Sequence, residues 1–114
     1  MHELSIALSI VEIAVETVEK NGGGKVEAIY LKLGTMSGVV KEALLFSWQM
    51  ASADTPLEGS RLVIEEVPIV VRCTKCEAVR TLDAMNKFVC PVCDQPVANI
   101  LQGKELQLTS LEIV

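Results

Sequence analysis

The chain has 114 residues, half of them apolar, which suits one domain of ordinary size with its own core and argues against intrinsic disorder. Its net charge of -5, from 10 Lys and Arg against 15 Asp and Glu, argues against a polyanion-binding protein, because phosphates need a local excess of cations. Glu12, Glu16 and Glu19 interrupt the apolar N-terminal run and no Lys or Arg precedes it, so neither a signal peptide nor a membrane span is expected, and the protein reads as cytoplasmic.

Residues 3–20 carry helical periodicity: Leu4, Leu8, Val11, Val15 and Val18 recur at steps of three and four, opposite a polar stripe of Ser5, Ser9, Glu12, Glu16 and Glu19. Asn21-Gly22-Gly23-Gly24 ends that helix. In residues 25–33, Ile29, Leu31 and Leu33 alternate with Ala28, Tyr30 and Lys32, as in a strand covered mainly on one face. After the GTMSG turn, residues 40–52 read as a second helix whose apolar surface includes Trp48, Phe46 and Met50 as core residues.

Residues 61–71 form the next strand, and Pro68, lacking an amide donor, places its far end at a sheet edge or exit. Residues 72–97 differ in kind, with four cysteines, few large apolar side chains and two prolines, and read as an inserted module. The chain returns in a final strand at 105–114, where the apolar phase shifts between Leu108 and Leu111, the mark of a β-bulge near Thr109-Ser110. The expected fold is α+β: a three-stranded sheet with two helices on one face, plus the inserted module.

Cys73-Thr-Lys-Cys76 and Cys90-Pro-Val-Cys93 stand thirteen residues apart. Each pair offers two thiolates on a tight turn, and two such turns complete a tetrahedron around zinc in a zinc ribbon. A closed tetrathiolate has no open position, so its role is structural, supplying folding energy to a segment with little core. A redox CxxC pair and a rubredoxin-type iron centre are the competing readings. Arg72, Lys75, Arg80 and Lys87 lie close in sequence and would offset the negative charge of such a site.

Met1-His2-Glu3 places the single histidine beside the terminal amine. Read alone, His2 is a solvated terminal residue. A histidine at position 2 nevertheless has a chelating option closed to an internal one: the amine, its own deprotonated amide nitrogen and imidazole Nδ1 bind one ion in two fused rings. Strong nitrogen donors of this kind favour square-planar Ni(II) or Cu(II), with one position left for exchange.

MHELS at the start, LGTMSGV at 33–39, EALLFSW at 42–48, EGSRLVIEEVP at 58–68, the paired CxxC knuckles and the closing QGKELQLTSLEI together resemble the HypA/HybF family of nickel-incorporation proteins for [NiFe]-hydrogenase maturation. The resemblance implies a discontinuous nickel-binding α+β domain of residues 1–71 and 98–114, with a zinc-ribbon domain at 72–97. It implies nickel at Met1 through its amine, His2 through backbone and imidazole, and Glu3 through its backbone, and structural zinc at Cys73, Cys76, Cys90 and Cys93. It further implies a non-enzymatic metallochaperone that hands Ni(II) to the hydrogenase large subunit precursor in concert with a HypB-type GTPase and, in some bacteria, serves urease maturation proteins. Two departures stand out: no histidine flanks the knuckles, and the glycine often found after each CxxC is replaced by Glu77 and Asp94.

Two other classes compete with this reading. A zinc-ribbon module for nucleic acid is disfavoured by the acidic charge and by one Trp, one Tyr and two Phe as the only stacking aromatics. An enzyme is disfavoured by the lack of a second histidine or a nucleophile with an evident base.

Overall fold

Pro68 divides what reads in the sequence as one strand. The computed structural model describes residues 2–82 and 88–114, in the order α1 (His2–Lys20), β1 (Val26–Gly34), α2 (Lys41–Ser52), β2 (Arg61–Val67), β3 (Ile69–Cys73), β4 (Ala78–Leu82), β5 (Asn99–Gln102) and β6 (Leu106–Ile113). β2 and β3 are separate strands in different sheets, because the residue between them has no N–H to give to a ladder. Among the described residues, two helices and two three-stranded sheets, ordered β2-β1-β6 and β4-β3-β5, make an α+β protein. The chain forms two compact units: Met1–Leu31, Val39–Glu65 and Gln107–Val114 in one, Lys32–Gly38 and Glu66–Leu106 in the other.

The core of the first unit joins Ala7, Ile10, Val11, Ala14 and Val18 of α1 to Leu44, Trp48 and Ala51 of α2 and to Val26, Ile29 and Leu31 of β1. Each fully buried Ile or Leu there contributes about 1.5–3 kcal/mol relative to an exposed one. The buried stripe of α1 is rotated from the expected one, since Leu4 and Leu8 are exposed while Ala7 and Ala14 are sealed. Small side chains occupy the places where the helix has the least room, which hydropathy alone does not show. In α2, Leu44, Ser47, Trp48, Ala51 and Ser52 are buried at steps of three and four. Phe46 and Met50 fall between these steps and are 69% and 55% exposed, so only Trp48 of the three expected core residues is buried.

On β6, Leu108 and Leu111 both pack against the first core although they are three residues apart. Strict alternation would turn one of them away, so the shared orientation fits an extra residue at Thr109-Ser110. Across the outer face of the sheet, Tyr30 of central β1 donates its hydroxyl to the Glu112 carboxylate on β6, and Arg61 of β2 lies 3.7 Å from the same carboxylate.

The second unit buries Ile69, Val71, Leu82 and Val97 together with Cys73 and Cys90, and Met36 and Phe88 pack around them. A sharp constraint within this unit is Gly34. Its N–H donates to the Glu105 carbonyl at 2.7 Å, and the next turn is closed by Met36 N–H on the Gly103 carbonyl at 2.6 Å. A Cβ at position 34 would meet the Gly103 carbonyl and stand 2.6 Å from the Glu105 nitrogen, both backbone atoms that have nowhere to go. Gly34→Ala is therefore expected to destabilise the protein by about 3 kcal/mol or more, read as a drop in the urea midpoint.

Candidate metal centres

β3 ends on Cys73, residues 74–77 turn, and β4 begins on Ala78, which pairs with Cys73 in the antiparallel ladder. Glu77 takes φ +52° where the chain reverses after the first CxxC, and Asp94 takes φ +60° at the same place after the second. Both knuckles thus make the left-handed turn that glycine would make without strain, and non-glycine residues hold it at some cost. In the second knuckle, Cys90 N–H donates to the Gln95 carbonyl at 2.8 Å and Asp94 N–H to the Cys90 carbonyl at 2.9 Å. Val97 N–H on the Phe88 carbonyl closes the base of that turn.

These two turns bring the four thiols together. Cys73 Sγ lies 3.5 Å from Cys93 Sγ, Cys76 Sγ lies 3.9 Å from Cys90 Sγ, and all four sulfurs fall within 4.8 Å of one another. Four sulfurs at about 2.3 Å from one tetrahedral zinc stand roughly 3.8 Å apart, so the donor set and its span fit that ion. The distances are well beyond the ~2.05 Å of a disulfide, and all four cysteines are free.

The electrostatics of the thiols also call for a cation. Burial pushes the Cys90 thiol up, but the backbone N–H groups of Cys93 and Val92 outweigh it and bring it down to about 6. For Cys93 the Gln95 N–H pulls downward, yet burial and the sulfurs of Cys73, Cys76 and Cys90 push it up to about 12. Ionising one sulfur therefore penalises the next, and only a positive ion lets all four serve as thiolates. Of the four cations expected to balance that charge, Arg72 and Lys75 are exposed, Arg80 is half-buried, and Lys87 lies outside the described residues.

The other expected site is at the start of α1. Met1 lies outside the described residues, and α1 begins at His2. His2 and Glu3 lie in the first turn of α1, where amides have no intrahelical bond to lose. The two side chains have opposite surroundings: that of His2 is 61% exposed and that of Glu3 only 7%. The Glu3 carboxylate accepts the N–H of Val40 at 3.2 Å. Val40 is the N-cap of α2 and its side chain makes no capping bond, while a carboxylate 37 positions earlier takes its N–H at the positive end of the helix.

The Val40 N–H is the main reason the Glu3 carboxyl drops from its ordinary 4.5 to about 2. A carboxyl depressed on folding stabilises the native state above its unfolded value, and that contribution is lost as pH falls toward the folded value. Parent protein is thus expected to exceed Glu3→Gln in stability at neutral pH, with the gap closing between pH 4.5 and about 2, as read from urea midpoints across that range. The tie from Glu3 to Val40 is invisible in sequence, where a carboxylate in a first turn needs no tertiary partner.

Glu3 also faces its neighbour: Oε2 lies 3.4 Å from His2 Nε2. A carboxylate beside one imidazole nitrogen favours the tautomer that leaves the other nitrogen unprotonated. Here that other nitrogen is Nδ1, the one able to close a chelate ring with the His2 amide.

Among the described residues, no helix is long and apolar enough to cross a membrane. The family model described as hydrogenase/urease nickel incorporation, metallochaperone, hypA matches residues 1–113. Hydrogenase maturation factor HypA of Roseiflexus sp. (strain RS-1) is 51% identical over 112 residues, covering 98% of this chain and 91% of that protein. Its counterpart in Chloroflexus aurantiacus (strain ATCC 29366 / DSM 635 / J-10-fl) is 47% identical, covering 98% of both. The solution structure of the Ni metallochaperone HypA from Helicobacter pylori superposes with a TM-score of 0.67 at 27% identity, covering 100% of this chain and 98% of that one. With four convergent thiols, a histidine at position 2 and a family match from end to end, the chain belongs to the HypA family of nickel metallochaperones for hydrogenase and urease maturation.

Proposed function

We propose that this protein binds Ni(II) at its N terminus and delivers it to the large subunit precursor of a [NiFe]-hydrogenase, while a zinc ion on Cys73, Cys76, Cys90 and Cys93 holds the ribbon folded. The observation that carries the reading is the contrast at the start of α1: an exposed His2 imidazole beside a Glu3 carboxylate that is buried and tied to Val40. A metal donor that must meet a partner has to be exposed, and the backbone carrying it has to be held. The Met1 amine, the His2 amide and imidazole, and the Glu3 backbone are the proposed donors, with one position exchangeable.

The division of labour follows the chain: residues 1–71 and 98–114 serve nickel, and 72–97 serve zinc. Zn(II) is resident and structural, whereas Ni(II) is cargo. The protein acts as a cytoplasmic carrier and not as an enzyme, working with a HypB-type GTPase and, where urease is made, with urease maturation proteins. The net charge of -5 opposes nucleic acid as a partner. Extending the chain by one residue before Met1 tests the proposal, since it removes the amine from the chelate. Nickel affinity measured by equilibrium dialysis is expected to fall at least tenfold, and unchanged affinity would sink the terminal chelate.

A further inference from the structure

The sheet β2-β1-β6 has two edges, and the sequence guards them differently. β2 carries Arg61, Glu65 and Glu66 and runs into Pro68, and such charges and a missing N–H keep an edge from pairing with a further strand. β6 extends over 8 residues with no proline, lysine or arginine. Its one charged side chain, Glu112, is turned to the outer face, where the Tyr30 hydroxyl and Arg61 hold it. Among the described residues, β6 hydrogen-bonds β1 and no other strand, so the N–H and C=O groups of its far edge have no backbone partner.

Between α1 and β6 lies an open groove of about 870 Å³, lined by Ile13 and Thr17 of α1 and by Leu108, Leu111 and Ile113 of β6 among others. None of its lining residues is charged, in a chain whose net charge is -5. Two copies of such a chain repel each other over most of their surface and approach most readily where charge is absent. The strand is also complementary to itself. Leu106, Leu108, Leu111 and Ile113 fall symmetrically about Thr109-Ser110, and Leu108 and Leu111 pack toward the same core. Laid against its own reverse, β6 therefore sets leucine beside leucine and leucine beside isoleucine.

We propose that two copies of this protein associate through β6, in antiparallel pairing about a two-fold axis at Thr109-Ser110, to make one continuous sheet in the order β2-β1-β6-β6-β1-β2. A two-fold axis normal to the sheet keeps both α1 helices on one face, where they meet along Ile13 and Thr17 and each copy closes the other's groove. Main-chain hydrogen bonds supply the affinity, and the apolar row fixes the register.

The test is sedimentation velocity on zinc-loaded full-length protein, from low micromolar to hundreds of micromolar, with amide hydrogen exchange at both ends of that range. Parent protein is expected to pass from monomer to dimer as concentration rises, with protection gained by the amides of β6 and not by those of β2. Ile13 is 51% exposed, so Ile13→Lys and Ile13→Glu are expected to keep the fold, which an unchanged thermal midpoint checks. Each alone sets like charges across the two-fold axis and is expected to weaken the dimer about tenfold or more, whereas an equimolar mixture of the two regains it. Parent protein that stays monomeric at every concentration, or variants that each associate as the parent does, would overturn the proposal. Protection gained on β2 or α2 with β6 unchanged would overturn it too, by placing the contact elsewhere.

Discussion

Cys90→Ser is expected to unfold the cysteine-bearing unit and to empty it of zinc, the largest structural effect any single substitution in this chain should have. The reason is the composition of that core. Among the described residues, its buried members are Ile69, Val71, Leu82 and Val97 with two of the four cysteines, Cys73 and Cys90, and the other two pack against them. So few aliphatic side chains, at about 1.5–3 kcal/mol each, do not offset the conformational entropy of ordering the segment. Structural zinc in comparable small sites contributes about 10–16 kcal/mol, and a three-thiolate site with a serine keeps only part of that. Zinc content should drop from one per chain to well below one, and the amides of residues 66–82 and 88–106 should exchange at near-unfolded rates. The α1–α2 amides should stay protected, because Leu44, Trp48 and Ile29 belong to a separate core.

The second large effect concerns cargo. His2→Ala removes the imidazole ring from the proposed chelate, leaving the amine and amides to hold nickel, and affinity is expected to fall by about a hundredfold or more. Zinc content and thermal midpoint should be unchanged, since the His2 side chain is exposed and its removal leaves the Glu3 to Val40 bond in place. The parent's nickel occupancy should itself decline as pH falls, because protons compete with the metal for the donor nitrogens. Isothermal titration of zinc-loaded, nickel-free protein with nickel between pH 6 and 8 reads both effects.

Much of this architecture is legible in the sequence because it rests on local signals. The periodicity of α1, the Asn21-Gly22-Gly23-Gly24 stop and the alternation in β1 each report short-range geometry, and the two CxxC pairs announce a metal site by spacing alone. What stays hidden depends on distant partners. Glu3 looks like a solvated first-turn acid until Val40 arrives beside it. Arg80 is one of four similar cations until the β3–β4 register sets it opposite buried Val71. Phe46 and Met50 are apolar, so composition assigns them to the core, whereas the helical phase set by Leu44 and Trp48 leaves them outside. Pro68 marks a sheet edge or exit in the sequence, and its effect is larger: the chain leaves one sheet there and enters the other. Glu77 and Asp94 hold left-handed turns that glycine would take without strain, and residue type alone does not announce them.

Nickel at the N terminus is the claim on which the functional account stands. Its most direct test is nickel absorption and circular dichroism spectroscopy on untagged, zinc-loaded protein beginning at Met1, with His2→Ala beside it. The expected result is one zinc per chain in both, with d–d bands of a planar nickel–nitrogen site in the parent alone. The same planar signal in His2→Ala would contradict the account and move the nickel elsewhere in the chain.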